Sequence, residues 1–303
     1  MTIAVTGATG FVGQALLDEA SAQGLSLRAL SRKPQAPRAG IEWVRGDLAD
    51  KAALASLVHG ARAVIHVAGL TTAKDAAAFE AGNVTGTLAL IEAALAAGVP
   101  RFVHVSSLAA REPQLSLYGA SKARGERVVR ASGLDWTIVR PPAVYGPRDD
   151  AMFELFRSAR WGVVPAVRGG RTSLIHAADL ARLLLALVPG GEGVSHQTFE
   201  PDDGRTGGWH QDELARAIGW AVGRARVWVP GLTRDMLEWA ARGDVLLRRG
   251  KAKLTLDRAS YMAHPDWAAS AGAAVPTELW RPAIETRDGL RQTAEWYRRE
   301  GWF

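Results

Sequence analysis

The sequence predicts an α/β fold: a doubly wound parallel sheet, followed by a smaller mixed lobe in the C-terminal half. Three observations predict it. Six short β-branched runs alternate with longer Ala- and Leu-rich segments up to about residue 140, the pattern of βαβ units. A glycine-rich turn joins the first run to the first helical segment. Past Pro141 the texture changes: nine of the eleven tryptophans lie beyond residue 150, and Pro, Gly and Arg thicken there.

The elements follow in order. Thr2–Thr6 reads as the first strand and Phe11–Gln23 as the helix after it, with Gly24 to close it. Ser26–Leu30 and Ile41–Arg45 are the next two strands, and Lys51–Val58 is the helix that leads on to the strand Ala63–Val67. The Ala-rich segment Ala76–Ala97 reads as one helix, stopped by Gly98, Val99 and Pro100. Arg101–Ser106 is the fifth strand, Ser116–Ser132 a helix that Gly133 ends, and Asp135–Val139 the sixth strand. Each crossover is expected to be right-handed.

Composition removes several function classes. Hydrophobic residues are 48% and charged residues 22% of 303 residues, the balance of a globular protein with a real core. There is no cysteine, so thiol nucleophiles, disulfides and Cys-ligated metals are excluded. No HxxH or HxxE pattern suggests a metal. The net charge is +6, but the cations are scattered rather than massed among aromatics, so no nucleic-acid partner is expected. The N-terminal MTIAVTGATG lacks the basic stretch and apolar core of a signal peptide, and no 18-residue apolar run occurs. The expectation is a cytoplasmic protein.

The turn Thr6-Gly7-Ala8-Thr9-Gly10-Phe11-Val12-Gly13 directly follows a strand and opens a helix. Glycines at this spacing allow a tight turn and a close backbone approach to a pyrophosphate, while the helix start offers free N–H groups and a positive dipole end. The second strand runs out into Ser31, Arg32 and Lys33. NAD-selective sites usually place an acid there for the ribose 2′-hydroxyl; two cations instead suit the 2′-phosphate of NADP(H). The cofactor expected is therefore NADP(H). Residues 1–140 are assigned to its binding and 141–303 mainly to substrate, with later segments free to return to the first domain.

Tyr118 and Lys122 stand four apart in a helical segment and so share a face. One strand–helix unit earlier stand Ser106 and Ser107. A phenol beside an ammonium is an acid–base pair whose pKa the cation lowers, and a serine at a strand end can polarise a carbonyl.

With these stretches the chain resembles the extended and atypical short-chain dehydrogenases/reductases, of Rossmann fold, over nearly its whole length. The resemblance rests on Thr6–Gly13, Gly46-Asp47-Leu48, His66-Val67-Ala68-Gly69, Asn83–Thr87, Val105-Ser106-Ser107, Tyr118–Lys122 and Arg140–Pro147. It implies Ser107, Tyr118 and Lys122 as the catalytic set, with Lys122 also on the nicotinamide ribose. It implies Asp47 on the adenine with Leu48 packed beside it, and Ala68 and Gly69 where the backbone passes close to the cofactor. Pro141 would flank the nicotinamide. Ser107 fits the polarising role better than Ser106, which would line the nicotinamide side; the choice stays open here. Asn83 either continues a proton relay or ties a helix to a strand. His176 and Asp179 resemble a later family stretch, but a packed histidine and a helix-capping aspartate are the reading preferred for them.

The activity implied is reduction of a ketone to a secondary alcohol, on a hydrophobic or amphipathic molecule such as a ceramide-like lipid or a polycyclic ketone. The branch that resembles complex I accessory subunits and includes ceramide reductases is compatible. Nucleotide-sugar epimerases and dehydratases share the scaffold and are the alternative; a non-catalytic NADP(H)-binding subunit is a second. The stretch 226–254 holds seven cations (226, 234, 242, 248, 249, 251, 253) against three acids, with Leu, Met and Trp between them. It reads either as a solvated helical pair or as a peripheral membrane contact. The substrate's identity and the oligomeric state are not written in these residues.

Overall fold

The computed structural model describes residues 2–248 and 254–303. Arg249, Lys251 and Lys253 of the basic stretch fall outside the described residues. Contacts divide the chain into two units. One takes Met1–Pro141, Ala178–Glu200 and Val275–Trp280; the other takes Pro142–Ala177, Pro201–Ala274 and Arg281–Phe303.

The first unit is the doubly wound sheet. Its early elements are β1 (Thr2–Thr6), α1 (Phe11–Ala22), β2 (Leu27–Ser31), β3 (Ile41–Arg45), α2 (Lys51–Val58) and β4 (Ala61–His66). They continue with α3 (Ala76–Glu80), α4 (Gly86–Ala96), β5 (Arg101–Val105), α5 (Leu117–Arg130) and β6 (Asp135–Val139). Among the described residues seven strands form this sheet, ordered Gln197–Phe199, β6, β5, β4, β1, β2, β3, and every pair is parallel. The order reverses between β1 and β4, which opens a crevice at the carboxyl ends of those strands. β4 and β5 are buried almost throughout, as strands with helices on both faces must be. Leu54, Leu57, Leu90, Ile91, Phe102 and Ile138 fill one side.

Two features depart from the expected pattern. The seventh strand, Gln197–Phe199, is three residues long, too short to read as a strand, yet its register on β6 is regular. The helix expected over Ala76–Ala97 is broken: α3 and α4 are separated by a π-helical turn, Ala81–Thr85. Gly82 and Gly86 explain the break. A Cβ on Gly82 would come within 2.8 Å of the Leu70 side chain, and one on Gly86 within 2.9 Å of Leu48. The extra residue of a π-turn swings the backbone to admit both leucines and drives Asn83 inward, where it is buried.

The second unit carries small sheets: Ala143–Tyr145 with Leu174–His176, Gly231–Leu232 with Ala166–Val167, and Arg171–Thr172 between Trp209–His210 and Asp266–Trp267. Its core gathers Tyr145, Phe156, Trp209, Ile218, Leu290 and Tyr297. Among the described residues no helix is long and apolar enough to cross a membrane.

Candidate active site

The glycine turn is built as a backbone cradle. Gly7 has φ +74°, and a Cβ there would stand 2.5 Å from the Ala68 amide nitrogen. A Cβ on Gly13 would run into the Gly7 carbonyl oxygen. Gly10 caps α1 with no side-chain hydrogen bond, so the first-turn N–H groups remain available. Thr9 and Gly10 are exposed at the turn, while Phe11 and Val12 are half-buried. The residues present fit a dinucleotide pyrophosphate: the turn excludes side chains where an anion would approach, and the donors face it.

Where β2 and β3 run out, two cations and two acids meet. An open hollow of about 370 Å³ is lined by Arg32, Arg45, Gly46, Asp47 and Asp50. Arg45 was not legible as a site residue; it ends β3, opposite Ser31 in the register. Ser31 itself is buried. Its hydroxyl donates to the Lys33 carbonyl at 2.7 Å and accepts from Gln35 at 3.2 Å, so it braces the loop that carries Arg32 and Lys33. The two acids are engaged locally: Asp50 caps α2 through Ala53 N–H at 3.0 Å, and Asp47 accepts from Ala49 N–H at 2.8 Å. Leu48 packs on the start of α4.

Ser107, Tyr118 and Lys122 lie in this same unit. Ser107 ends the stretch after β5 in extended geometry and caps a short 3₁₀ turn, Leu108–Arg111. Gly119 lets the first turn of α5 approach that turn: a Cβ there would stand 2.6 Å from the Ala109 carbonyl oxygen. The approach brings the Tyr118 hydroxyl into a hydrogen bond with Ser107. Lys122 is buried, and its Nζ donates to the Val105 carbonyl at 2.8 Å. Gly69 passes beside it, so close that a Cβ would sit 3.4 Å from Nζ.

The electrostatics correct one expectation. Lys122 was expected to lower the Tyr118 pKa. Burial instead raises it above the ordinary phenol value, and the Ser107 hydrogen bond opposes that rise. The ammonium is aimed at a backbone carbonyl, and its own pKa is pushed down to about 8 by burial, against the pull of Glu126. Tyr118 is thereby held protonated at neutral pH.

The two serines have different partners. Successive extended residues point to opposite faces. Ser107 faces Tyr118, whereas Ser106 turns inward and donates to Glu126 Oε1 at 2.6 Å. Glu126 accepts from Arg140 Nε at 2.8 Å and Nη2 at 2.7 Å and from Arg130 at 3.0 Å; Arg140 continues to Glu200 at 3.4 Å, and Glu200 to Arg111 at 3.1 Å. These pairs hold Glu126 below the usual carboxylate range despite its burial. The network fixes Arg140 just before Pro141, whose carbonyl accepts from Leu108 N–H at 3.1 Å. Sequence reasoning missed it, because apart from the i,i+4 pair Arg130–Glu126 its ion pairs join residues 14 to 89 apart.

Behind the glycine turn lies a second polar chain. Thr87 donates to the Asn83 carbonyl at 2.9 Å and so accepts from His66 Nε2, also 2.9 Å away. That fixes the tautomer: His66 Nδ1 accepts from Thr6 at 2.6 Å, and Thr6 accepts from Ala68 N–H at 3.3 Å. Burial, then Lys122, pushes the His66 pKa down to about 3. The Asn83 side chain holds both polar groups of Leu70 and donates to Ser121 at 2.8 Å, so it ties helix to loop. Of the later pair, His176 stacks edge-on against Tyr145, and Asp179 stands in the first turn of the helix Ala177–Ala186 and pairs with Arg182.

The model of the NAD-dependent epimerase/dehydratase family matches residues 3–199. The chain belongs to that family. Within it, the protein is 38% identical to the ceramide reductase of Caulobacter vibrioides, over 99% of this chain and 95% of that one. It is 34% identical to a 4-hydroxy-2-methyl-3-oxo-4-farnesyl-3,4-dihydroquinoline-1-oxide ketoreductase of Stigmatella aurantiaca, over 62% of this chain and 65% of the relative. The solved structure of MoeE5 in complex with UDP-glucose and NAD superposes with a TM-score of 0.75 over 99% of both chains; at 23% identity it speaks for the fold alone. As a family member with reductase relatives, the protein is a nicotinamide-dependent oxidoreductase of the extended short-chain type.

Proposed function

We propose that the protein reduces a ketone on an apolar or amphipathic molecule to a secondary alcohol, with NADPH as reductant. The observation that carries the reading is the Tyr118 hydroxyl, half-buried, protonated and hydrogen-bonded to Ser107. A group held in its acid form is suited to giving a proton to a nascent alkoxide. When bound, the cofactor supplies hydride to the carbonyl carbon. Ser107 orients and polarises the carbonyl oxygen, Tyr118 gives that oxygen its proton, and the phenolate is reprotonated from solvent. Lys122, cationic at neutral pH with its pKa near 8, binds the ribose.

NADPH is favoured by Arg32 and Arg45 around one hollow and by the absence of an acid at Ser31. A long-chain, ceramide-like or polycyclic ketone is favoured by the match to ceramide reductase over nearly the whole chain. The test is NADPH absorbance under multiple turnover. Sustained oxidation with a long-chain or polycyclic ketone is the expected result; isomerisation of a nucleotide sugar without net oxidation would overturn it.

A further inference from the structure

The helix Arg234–Arg248 is apolar on two sides. Leu237 and Ala241 are buried against Ala259, with Leu232 and Leu254 packed on them. Met236, Trp239, Leu246 and Leu247 are not buried: their exposures are 50%, 71%, 78% and 84%. On a helix of 3.6 residues per turn these four fall within a sector of about 100°, roughly opposite Leu237 and Ala241. A soluble helix normally shows one apolar stripe. This one spends its best membrane-seeking side chains on solvent.

One border of the stripe carries a cation and an acid, Arg242 and Asp235. Arg242 lies at its border, with its guanidinium 5.5 Å from the centre of the Trp239 ring, and pairs with no acid among the described residues. Arg234 and Arg248 lie on the opposite side of the helix, each paired with an acid one turn away, Glu238 and Asp244. Asp235 is the one exposed acid near the stripe's start. In sequence, 226–254 carries seven cations against three acids. Four apolar side chains are far fewer than the roughly 20–30 residues a side of a standard protein interface. They are enough to seat a helix at a bilayer surface, where Trp and Leu enter the acyl boundary and Arg meets lipid phosphate.

We propose that this face docks the protein on an anionic lipid bilayer. The surface goes beyond the reductase reading and does not rest on it, because lipid binding is measured whether or not NADPH is consumed. The full chain is floated with phosphatidylcholine vesicles and with vesicles that also contain phosphatidylglycerol. Wild type is expected to float with the anionic vesicles and much less with phosphatidylcholine alone. The triple variant Trp239→Ser, Leu246→Ser, Leu247→Ser should partition about tenfold more weakly, with an unchanged melting temperature, since none of the three is buried. Arg242→Glu should remove the preference for anionic lipid. Failure of wild type to float, or flotation unchanged in the triple variant, overturns the proposal. So does wild-type self-association that the triple variant abolishes, which would make the stripe a contact between copies.

Discussion

Ser31 and Arg45 face each other across the last rung of β2 and β3, and Arg45 and Arg32 line one hollow with Asp47 and Asp50. NADPH should bind at least about tenfold more tightly than NADH, a difference of about 1.4 kcal/mol. Arg32→Asp should reverse the order, and Arg45→Ala should weaken NADPH but not NADH. Fluorescence titration with both cofactors reads all three; equal affinities in the native protein count against the assignment. Tyr118→Phe should cut turnover by orders of magnitude and leave NADPH affinity nearly intact, because only the proton donor goes. Loss of cofactor binding would make Tyr118 structural instead. The two buried histidines make a sharper contrast. Their rings are 5.3 Å apart, but His66 has both nitrogens bonded and neither nitrogen of His104 has a partner. His66→Leu strands Thr6 and Thr87 and should cost about 2–3 kcal/mol in urea unfolding, whereas His104→Leu should be neutral or stabilising. An equal loss from both would refute this account. The glycine turn and the shared helix of Tyr118 and Lys122 were legible because their placement depends on local spacing. Arg45, Glu126 and the His66 tautomer were not, because each depends on a partner that only the sheet order brings near.

At the scale of elements, the sequence carried what short-range chemistry controls. The glycines at 24, 98 and 133 end their helices with φ near +70°, and six strands fall within about two residues of their expected bounds. The π-turn escaped notice because Gly82 and Gly86 act through Leu70 and Leu48, distant partners that no helical periodicity reveals. That turn matters to the site: it positions Asn83 against α5. Gly125 is the contact point, since a Cβ there would lie 2.7 Å from the Asn83 carbonyl oxygen. Both atoms belong to packed backbone, so α5 must move. Gly125→Ala should lower stability by about 1–3 kcal/mol and should weaken NADPH binding as well, through the displaced Lys122. Calorimetry and cofactor titration on the same variant check it; a stability loss with unchanged affinity would uncouple the π-turn from the site.

For the molecule as a whole, the two units carry opposite responses to acid. In the first, His66 is neutral down to about pH 3, while an unfolded histidine takes up its proton near 6.5. The unfolded state binds more protons between those values, so stability is lost progressively as pH falls from about 6.5 to 3. His104 shifts the same way, and the depressed Glu126 adds a loss below its ordinary range. The lowering of His66 alone corresponds to about 5 kcal/mol at the acid limit. In the second unit the sign is reversed. Burial pushes Asp149 up to about 7, so its folded form holds the extra proton and gains stability as pH falls from 7 towards 4; Asp202 is raised by burial too. Acid unfolding should therefore proceed in two steps, the first unit leading. The tryptophans make this measurable. Eight of eleven, at 161, 209, 220, 228, 239, 267, 296 and 302, belong to the second unit, so fluorescence reports mainly on it, whereas amide hydrogen exchange in β4 and β5 reports on the first. Between pH 6.5 and 4, protection in β4 and β5 should fall well before tryptophan emission shifts. His66→Leu, although less stable at pH 7, should show a shallower loss over that window, because the titrating group is gone. Coincident transitions by both probes would contradict the opposed signs and leave the chain a single acid-sensitive unit.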